Sequence, residues 1–491
     1  MSVQTISETF DSIFTPAAAQ AARPILTLGI GVMVYLLVDL IRPLRAARPL
    51  VFVGTLVLAF AFQVGILTAE VPPGEVFAGS LHADATTAMW SIMCLVGVLV
   101  AWIYASGYYT ENLPFRAEHD ALFLTAPAGM LLMIGASDLI TFFIGLEVLS
   151  IPLYALAAFR RSRAESVEAG LKYFVLGAFG AAFFLYGAGL LYAATGTVRL
   201  DELQVAAPGS TMALLGAAFV AASLFFKVSV FPFHLWVPDV YQGSPTPVTA
   251  LMATGTKAAA FAFLIQLTGI LPTGAATTIA VIALLTMVAG NLGALAQGDV
   301  KRMLAYSGVA HAGTLLLVLA GALSLRAQGE GGDAVAEATR AALIYMAAYV
   351  VTATGAFGVL ALLESDGARF TKLDSLKGLG RTRPGLAAAL SLFMLSLGGI
   401  PATGGFLGKW FVFSVLVDAR MYGVAVIGAL LSVVALGYYL RVIVALWMEP
   451  ASEGQAPPVT ARLSASAATA FCAVMVVVLG VLPGWYLDLL G

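Results

Sequence analysis

Apolar residues fill this chain in blocks of twenty or more, and charged or turn-forming residues separate the blocks. A helix of about 20 residues crosses a hydrocarbon core of about 30 Å, so each block predicts a transmembrane helix. A porin-like barrel is excluded because its strands alternate apolar and polar residues over about ten positions. The blocks predict about fourteen spans: 22–41, 49–69, 85–105, 117–136, 138–159, 168–195, 211–236, 247–271, 276–297, 300–323, 340–363, 386–417, 421–447 and 463–487.

Two of these spans are interrupted at matching places. The span 211–236 carries Pro232 shortly after Lys227, and the span 386–417 carries a glycine–proline stretch just before Lys409. Proline removes a backbone donor and clashes with the preceding turn, so both helices are expected to be broken rather than simply kinked. The breaks are five spans apart, which predicts two five-helix repeats, and a repeat with an odd number of spans must be inverted relative to its copy.

The predicted fold class is an all-α polytopic membrane protein with about 14 transmembrane helices and two inverted five-helix repeats, each containing a broken helix. The whole chain, 1–491, forms one integral membrane domain. Its predicted parts are an N-terminal three-helix segment (1–115), the first inverted repeat (116–272), the second inverted repeat (273–448) and a C-terminal transmembrane helix (449–491).

Composition and charge agree with this class. Of the 491 residues, 60% are hydrophobic and 11% are charged, and the mean hydropathy is +0.95. A soluble protein would carry about 25% charged residues. The lipid bilayer is thus the expected surrounding, and the net charge of −2 with no basic tract predicts no nucleic-acid partner. The opening segment lacks the basic region of a secretory signal, so the first helix is expected to remain as an anchor.

Basic residues between the spans are unevenly distributed and predict the orientation. One side holds the majority: Arg42, Arg45, Arg48, Arg116, Arg160, Arg161, Arg163, Lys301, Arg302, Arg369, Lys372, Lys377, Arg381, Arg383 and Arg462. The other side holds Arg23, Arg199, Arg326, Arg340 and Arg420. By the positive-inside rule the first side is cytoplasmic, which places both termini on the periplasmic side.

Four charged residues lie where a lipid-facing helix would not tolerate them. Glu147, Lys227 and Lys257 each stand inside a long apolar run, and Lys409 follows the second break. A charge at the bilayer centre costs at least ~2.5–3.5 kcal/mol, so the first interpretation of such a residue is functional. A row of titratable groups at mid-membrane predicts a proton path. The structural alternatives are a static ion pair for Glu147 and a lysine that reaches the interface for Lys257 or Lys409.

Histidines and one further lysine are weaker candidates. His234 follows Pro232 in the first break, and His311 shares a helix face with Ser307. Either imidazole can exchange protons near neutral pH, although a lone membrane histidine is more often a structural hydrogen bonder. His82 and His119 are expected in solvated loops. Lys172 pairs with Glu168 at i,i+4 near the predicted cytoplasmic edge.

Cofactor motifs are missing from the sequence. It has no GxGxxG, GxxxxGK[ST] or HExxH motif, so neither a nucleotide nor a metal site is expected. Cys94 and Cys472 lie far apart within apolar spans, which makes an iron–sulfur site within this chain improbable. Glycines 255, 290 and 293 are expected to serve helix packing.

Three ordered blocks resemble a known family. KVSVFPFHLWVPDVYQGSPTPVTALMATGTKAAAF (227–261), DVKRMLAYSGVAHAG (299–313) and LSLGGIPATGGFLGKW (395–410) are similar to signatures of the antiporter-like membrane subunits of respiratory complex I. The resemblance covers nearly the whole chain. Within the family, HLWVPDVYQGSPTPVTA is more similar to the subunit N branch than to the L and M branches. Lys409 also stands where subunit M has glutamate, and the long lateral helix of subunit L is absent.

The resemblance implies a function and its residues. It implies that Glu147, Lys227, Lys257 and Lys409 form a proton path, and that the relay positions are Lys172, His234, Tyr306 and His311. The implied activity moves protons from cytoplasm to periplasm across the bacterial inner membrane as a subunit of NADH:quinone oxidoreductase. It implies no cofactor in this chain, with FMN, iron–sulfur clusters and quinone in partner subunits. Subunits K and M are the implied neighbours.

Two other functions share parts of this pattern. A subunit of a multisubunit Na⁺/H⁺ antiporter has the same helix plan and the same Glu/Lys set, but the sequence PDVYQG favours complex I. A scaffold that no longer pumps is the third possibility, and the full set of four buried charges argues against it.

Overall fold

The computed structural model of this chain describes residues 16–68, 74–77, 79–108, 116–206, 210–329, 331–364, 370–450 and 463–489. Its helices are α1 (Pro16–Leu40), α2 (Arg48–Leu67), α3 (Ala85–Tyr108), α4 (Arg116–Gly135), α5 (Leu139–Ala157), α6 (Ala164–Thr195), α7 (Leu200–Ala206), α8 (Thr211–Val228), α9 (Trp236–Gly243), α10 (Thr246–Gln266), α11 (Ala276–Leu295), α12 (Val300–Ala327), α13 (Gly331–Leu363), α14 (Leu379–Thr382), α15 (Pro384–Gly398), α16 (Gly404–Asp418), α17 (Tyr422–Trp447), α18 (Leu463–Val481) and α19 (Gly484–Leu489). Short 3₁₀ turns lie at Arg42–Ala47, Leu267–Gly269, Thr273–Ala275 and Leu373–Leu376.

Twelve helices within the described ranges are long and apolar enough to cross a membrane. The predicted fourteen spans correspond to these twelve, to α4, and to the pair α15–α16. Helix α4 has 20 residues but begins with the polar sequence RAEHD, and the α15–α16 pair is a single predicted span divided in two. The all-α prediction misses one small element, an antiparallel hairpin of β1 (Gly74–Val76) and β2 (Leu81–Ala83).

Contacts between loops identify the two faces of the helix bundle. At one end, which we call the hairpin face, Ser137 N donates to Ser80 O and Arg199 forms a backbone bridge with Asp138. At the opposite end, which we call the basic face, Lys301 reaches the carbonyl of Ser244. The basic residues of the predicted cytoplasmic side lie on the basic face, except that Arg369 and Arg462 fall outside the described residues.

The same loop bridge occurs once on each face. Asp138 caps the start of α5 and bridges to Arg199 beyond the end of α6, while Asp299 caps the start of α12 and bridges to Lys372 beyond the end of α13. Leu139 N donates to Val198 O in the first case (3.1 Å), and Val300 N donates to Thr371 O in the second (2.7 Å). Because the bridges lie on opposite faces, the helices around them are related by inversion, as the odd repeat length predicts.

Both predicted breaks are present, and they have the same local geometry. Helix α8 ends at Val228 and α15 ends at Gly398. The residues that cap them, Ser229 and Gly399, both adopt left-handed backbone angles (φ 68° and φ 82°). One residue later, Val230 N donates to Phe225 O and Ile400 N donates to Leu395 O. This is a six-to-one closure of the Schellman type. The first repeat is therefore α4, α5, α6, α8–α9 and α10, and the second is α11, α12, α13, α15–α16 and α17. The exact domain boundaries stay a prediction.

Three helices form the interior of the bundle. Every residue of α10 from Thr246 to Ile265 is buried, and so is every residue of α13 from 341 to 363; α12 is nearly as enclosed. The outer helices expose large apolar side chains of the kind that lipid tails cover, such as Leu171 on α6 and Leu430 on α17. The predicted packing role of glycine is confirmed, because a Cβ at Gly290 would collide with the backbone of α12.

A pair of glycines on α6 tests this close packing. A Cβ at Gly187 would meet Gly216 O and the backbone of Val220 on α8, whereas a Cβ at Gly189 would meet nothing within 4 Å. We expect Gly187→Val to lower the thermal midpoint of the purified protein assembly, since overpacking typically costs ~1–3 kcal/mol. Gly189→Val is the matched control and should have the same thermal midpoint as the unmodified protein. Equal midpoints for the two variants would contradict the close α6–α8 contact.

Candidate functional site

Lys227 lies in the last turn of α8, directly before the first break, and is 6% exposed. Its Nζ donates to Ser150 Oγ on α5 (2.7 Å) and lies 3.5 Å from the hydroxyl of Tyr173 on α6. The Tyr173 ring in turn stacks on Trp236, at the start of α9 (4.7 Å between centroids). Residues from both sides of the break therefore enclose the ammonium group.

Glu147 stands one turn before Ser150 on α5 and is only partly buried. It lies within electrostatic range of Lys227. Among the described residues, however, it makes no ion pair with that lysine. The predicted partners are thus neighbours that are not in contact, and the static ion pair between helices does not form. Ser150 is the direct ligand of the Lys227 ammonium instead.

Lys257 is the most enclosed of the central lysines, with 2% of its surface exposed. Its Nζ donates to the backbone oxygen of Gly308 on α12 (2.6 Å) and lies 6.0 Å from the centre of the Tyr349 ring on α13. Gly308 provides the room, because a Cβ at this position would lie only 3.1 Å from the Lys257 Nζ. The ammonium is therefore held by a neutral oxygen at the meeting point of the three interior helices.

His311 lies one turn after Gly308 on the same face of α12 and has both ring nitrogens engaged. Its Nδ1 is 2.5 Å from the Tyr345 hydroxyl, and its Nε2 is 3.1 Å from the Tyr439 hydroxyl. The Tyr439 hydroxyl is also 2.5 Å from Ser307 Oγ. His311 and Ser307, which the sequence predicts on one helix face, are thus joined through the hydroxyl of a tyrosine of α17. The imidazole is bracketed by two hydroxyl groups that can each give or accept a proton.

Lys409 lies on α16 and binds the end of the other half of its broken helix. Its Nζ donates to Leu397 O (3.1 Å) and Gly398 O (2.9 Å), the last carbonyls of α15. The carboxyl end of a helix carries partial negative charge and favours a cation. Lys409 is 8% exposed, so the alternative of a lysine reaching the membrane interface is wrong for this residue.

Two small cavities adjoin His311. One is lined by Tyr349, Ser396 and Leu397, and the other reaches Lys409 and Ser432, with about 10 Å³ in each. The Oγ of Ser432 is buried and has no hydrogen-bond partner among the described residues. A cavity of about 10–15 Å³ is the smallest that holds one water molecule. One cavity lies between His311 and Lys409, and the Tyr349 ring lies between His311 (5.0 Å between ring centres) and Lys257 (6.0 Å from Nζ).

Lys172 lies away from this central row, on the basic face. Its Nζ pairs with Glu168 and with Asp239, each at 2.7 Å, and Asp239 also binds Arg302 of α12 at 2.7 Å. The predicted Glu168–Lys172 pair is thus confirmed as a contact. It forms part of a partly exposed network that joins the two repeats at the outer end of α9.

His234 and Tyr306 are also separate from the row. His234 lies buried in the first break, its ring 5.6 Å from that of Phe231, and its Nδ1 has no hydrogen-bond partner in the described part of the chain. The Tyr306 ring occupies the space that the missing side chain of Gly293 leaves on α11. No hydrogen bond joins either residue to the central lysines within the described ranges.

One sequence expectation about the histidines is wrong. His119 lies in α4 and is 1% exposed, rather than in a solvated loop. Its Nδ1 is 2.9 Å from the carboxylate of Asp120, which also accepts a hydrogen bond from the Tyr35 hydroxyl (2.6 Å). Two polar residues of RAEHD are therefore buried: Asp120 contacts α1 through Tyr35, and the His119 ring packs against Phe159 (4.9 Å between ring centres).

Sequence reasoning also missed the three tyrosines of the row: Tyr345, Tyr349 and Tyr439. A tyrosine inside an apolar span carries no distinctive sequence signal. Only spacing offers a clue, since Tyr345 and Tyr349 are four residues apart and share a face of α13. Within the described ranges, no group of three His, Cys, Asp or Glu side chains comes close enough to bind a metal ion.

Comparison with known proteins places these features in a family. The family described as NADH:quinone oxidoreductase/Mrp antiporter, transmembrane, matches residues 136–435. NADH-quinone oxidoreductase subunit N of Myxococcus xanthus is 40% identical over 492 aligned positions, with 94% of each chain covered.

Solved structures of related complexes support the same family assignment and fold. A chain of respiratory complex I from Thermus thermophilus with bound aureothin is 35% identical, with a TM-score of 0.80 over 95% of this chain and 98% of that one. A chain of the Mrp complex from Dietzia sp. also has a TM-score of 0.80, over 96% of each chain, but at 22% identity it shows the fold alone. This chain therefore belongs to the NADH:quinone oxidoreductase/Mrp antiporter family of membrane proteins, in the group of relatives named subunit N of NADH-quinone oxidoreductase.

Proposed function

We propose that this chain carries protons across the bacterial inner membrane as a membrane subunit of NADH:quinone oxidoreductase. One observation carries the proposal. Lys227, Lys257 and Lys409 are each buried, each is bound to neutral oxygens, and none forms an ion pair with a carboxylate among the described residues. Burying an unpaired ammonium is costly, so such a position favours exchange of the proton over permanent charge.

The order of groups in space suggests how a proton advances. Glu147 and Lys227 occupy the first repeat, Lys257 lies at the junction of the repeats, and His311 and Lys409 occupy the second. Two ammonium groups in a low-dielectric interior repel each other, so protonation of one lysine promotes release from the next. Glu147 acts as a carboxylate whose charge biases Lys227 from a distance, without trapping its proton in a contact pair.

His311 is the relay between Lys257 and Lys409. A proton arriving at one ring nitrogen is matched by release from the other, and the hydroxyls of Tyr345 and Tyr439 lie at these two nitrogens. The cavity next to Lys409 supplies the last step through a water molecule. The relay roles expected for Lys172, His234 and Tyr306 stay predictions.

The energy for transfer comes from partners in this proposal. Moving one charge against 100 mV costs ~2.3 kcal/mol, and this chain is expected to hold no redox centre that would supply it. Flavin, iron–sulfur clusters and quinone belong to other subunits, and subunits K and M lie beside this one. The basic face is cytoplasmic by the positive-inside rule, which leaves both chain ends on the periplasmic side.

Purification distinguishes this proposal from a Na⁺/H⁺ antiporter. We expect an affinity-tagged chain, extracted in mild detergent, to carry flavin, an iron–sulfur signal and NADH-dependent quinone reduction. These properties arise in the partner subunits, so their copurification identifies the assembly. A tagged assembly that exchanges sodium for protons and is inactive toward NADH would assign the chain to the antiporter instead.

Lys257→Met tests the central lysine. Methionine keeps the length of the side chain but removes the exchangeable proton, so we expect the complex to assemble and NADH-driven proton transfer in proteoliposomes to fall at least about tenfold, which is ~1.4 kcal/mol on a barrier. Lys372→Met, an exposed lysine on the basic face, is the matched control. Wild-type proton transfer by an assembled Lys257→Met complex would remove this lysine from the path.

Tyr345→Phe and Tyr439→Phe test the His311 relay. Each change removes one hydroxyl partner of the imidazole, so both should slow proton transfer. Tyr104→Phe is the control, since its buried hydroxyl binds Thr469 Oγ1 (2.9 Å) and takes no part in the row. Losing a buried hydrogen bond costs ~1–3 kcal/mol of stability in all three variants. If the three variants pumped equally, the two tyrosines would have only a structural role.

A further inference from the structure

A second cluster of buried charge lies on the basic face, outside the central row. The side chains of Lys301 on α12 and Glu364 at the end of α13 are only 2% and 1% exposed, and Nζ and Oε1 are 3.9 Å apart. A hydrogen-bonded ion pair would be about 2.7–2.9 Å, so these groups attract each other without forming a direct bond.

Each member of this pair also contacts uncharged groups. Glu364 Oε2 accepts hydrogen bonds from the Tyr108 hydroxyl and from Thr246 Oγ1, each at 2.6 Å. Lys301 donates to Ser244 O (2.6 Å), just before α10. The Arg160 guanidinium lies over the Tyr108 ring, 4.5 Å from its centre. Because two hydroxyls fix the carboxyl group, it keeps its position whether or not it carries a proton.

Thr246 connects this carboxyl group to the most enclosed lysine. Thr246 and Lys257 are 11 residues apart on α10, which is about three turns and ~16 Å, so they lie on the same helix face. Thr249 and Thr254 lie between them on the two flanks of this face, and their hydroxyls donate to Tyr241 O (3.0 Å) and Ala250 O (2.7 Å). Thr354 on α13 donates toward Thr254 at 3.5 Å. The other residues between Thr246 and Lys257 are apolar or glycine apart from Thr256, and all are buried.

We propose that Glu364 loads protons from the basic face onto Lys257 through the hydroxyl column of α10, which consists of Thr246, Thr249 and Thr254. The inference rests on the proposed proton-carrying function and adds an uptake site that serves the second repeat directly. In the step itself, the Glu364 carboxylate takes a proton from a hydronium ion at the basic face and leaves a water molecule. The O–H bond at Glu364 then breaks, each hydroxyl of the column gives up one proton as it receives another, and an N–H bond forms at the neutral Lys257 amine. Lys301 stabilises the Glu364 carboxylate that remains, which can then accept the next proton.

Glu364→Gln in the whole complex is the first test. Glutamine keeps the shape and the hydrogen bonds of the carboxyl group but cannot release a proton, and a positioned proton donor typically contributes ~10²–10⁴-fold to a transfer rate. We expect NADH-driven proton transfer to fall at least tenfold, and Glu364→Asp to restore part of it with a shifted pH profile. An assembled Glu364→Gln complex with wild-type proton transfer and an unchanged pH profile would overturn the proposal.

Asp374→Asn is the matched control on the same face. The hydrogen bond from Lys377 lowers the pKa of the exposed Asp374 carboxyl, so it stays ionised near neutral pH and does not deliver protons. This variant should transfer protons at the rate of the unmodified complex.

A hydrophobic carbodiimide gives a direct readout of Glu364, because it modifies buried carboxyl groups when they carry a proton. We expect modified Glu364 in the peptide digest; its absence across the working pH range would count against a loading role.

Thr246→Val keeps the test decisive if Glu364→Gln fails to assemble. Valine removes the hydroxyl that joins Glu364 to α10 and leaves the Lys301–Glu364 pair in place, whereas Thr246→Ser retains the hydroxyl. We expect slow transfer in the valine variant and recovery in the serine variant; equal, wild-type rates would overturn the proposal. Wild-type pumping by Lys257→Met would likewise overturn the proposal, because it removes the proton acceptor, whereas a tagged assembly inactive toward NADH would indicate that the proposed function itself is wrong.

Discussion

A buried ammonium group needs oxygen ligands, and backbone carbonyls supply most of them in this protein. Lys257 binds Gly308 O, Lys409 binds the last carbonyls of α15, and Lys301 binds Ser244 O. A carbonyl solvates an ammonium without neutralising it. A carboxylate in contact would stabilise the charged form far more strongly in the low-dielectric interior and would hold the proton in place. Neutral ligands thus keep the lysines buried without fixing their protons in contact ion pairs, as the proposed proton path requires.

The helix breaks supply free backbone carbonyl oxygens inside the bundle. A continuous membrane helix uses its own carbonyls, and only its ends leave them free. Helix α15 ends inside the bundle, and its last carbonyls face Lys409, which comes from the other half of the same broken helix. In the first repeat the corresponding end lies beside Lys227, where Ser150 is the ligand instead. The two repeats therefore share the break but differ in how the neighbouring lysine is held.

The ends of the repeats are fixed independently of the breaks. Aspartates at the starts of α5 and α12 cap those helices and join loops on opposite faces of the bundle. On the basic face, Asp239 of the short helix α9 binds both Lys172 of the first repeat and Arg302 of the second. Ion pairs therefore join both repeats to α9, the half-helix that follows the break beside Lys227. This is the position that a coupling element between two proton-carrying units would occupy.

The sequence by itself determined the membrane class, the spans, the two breaks and the charges in the apolar runs. It could do so because a charge or a proline in a hydrocarbon-spanning helix is expensive and therefore conspicuous. Only the tertiary structure decided which groups touch. Ser150 rather than Glu147 binds Lys227, tyrosines from two other helices bracket His311, and His119 is buried against Phe159. Hydroxyl and imidazole groups are inexpensive enough in a helix to leave no sequence signal, and their partners depend on how helices far apart in the chain are rotated against one another.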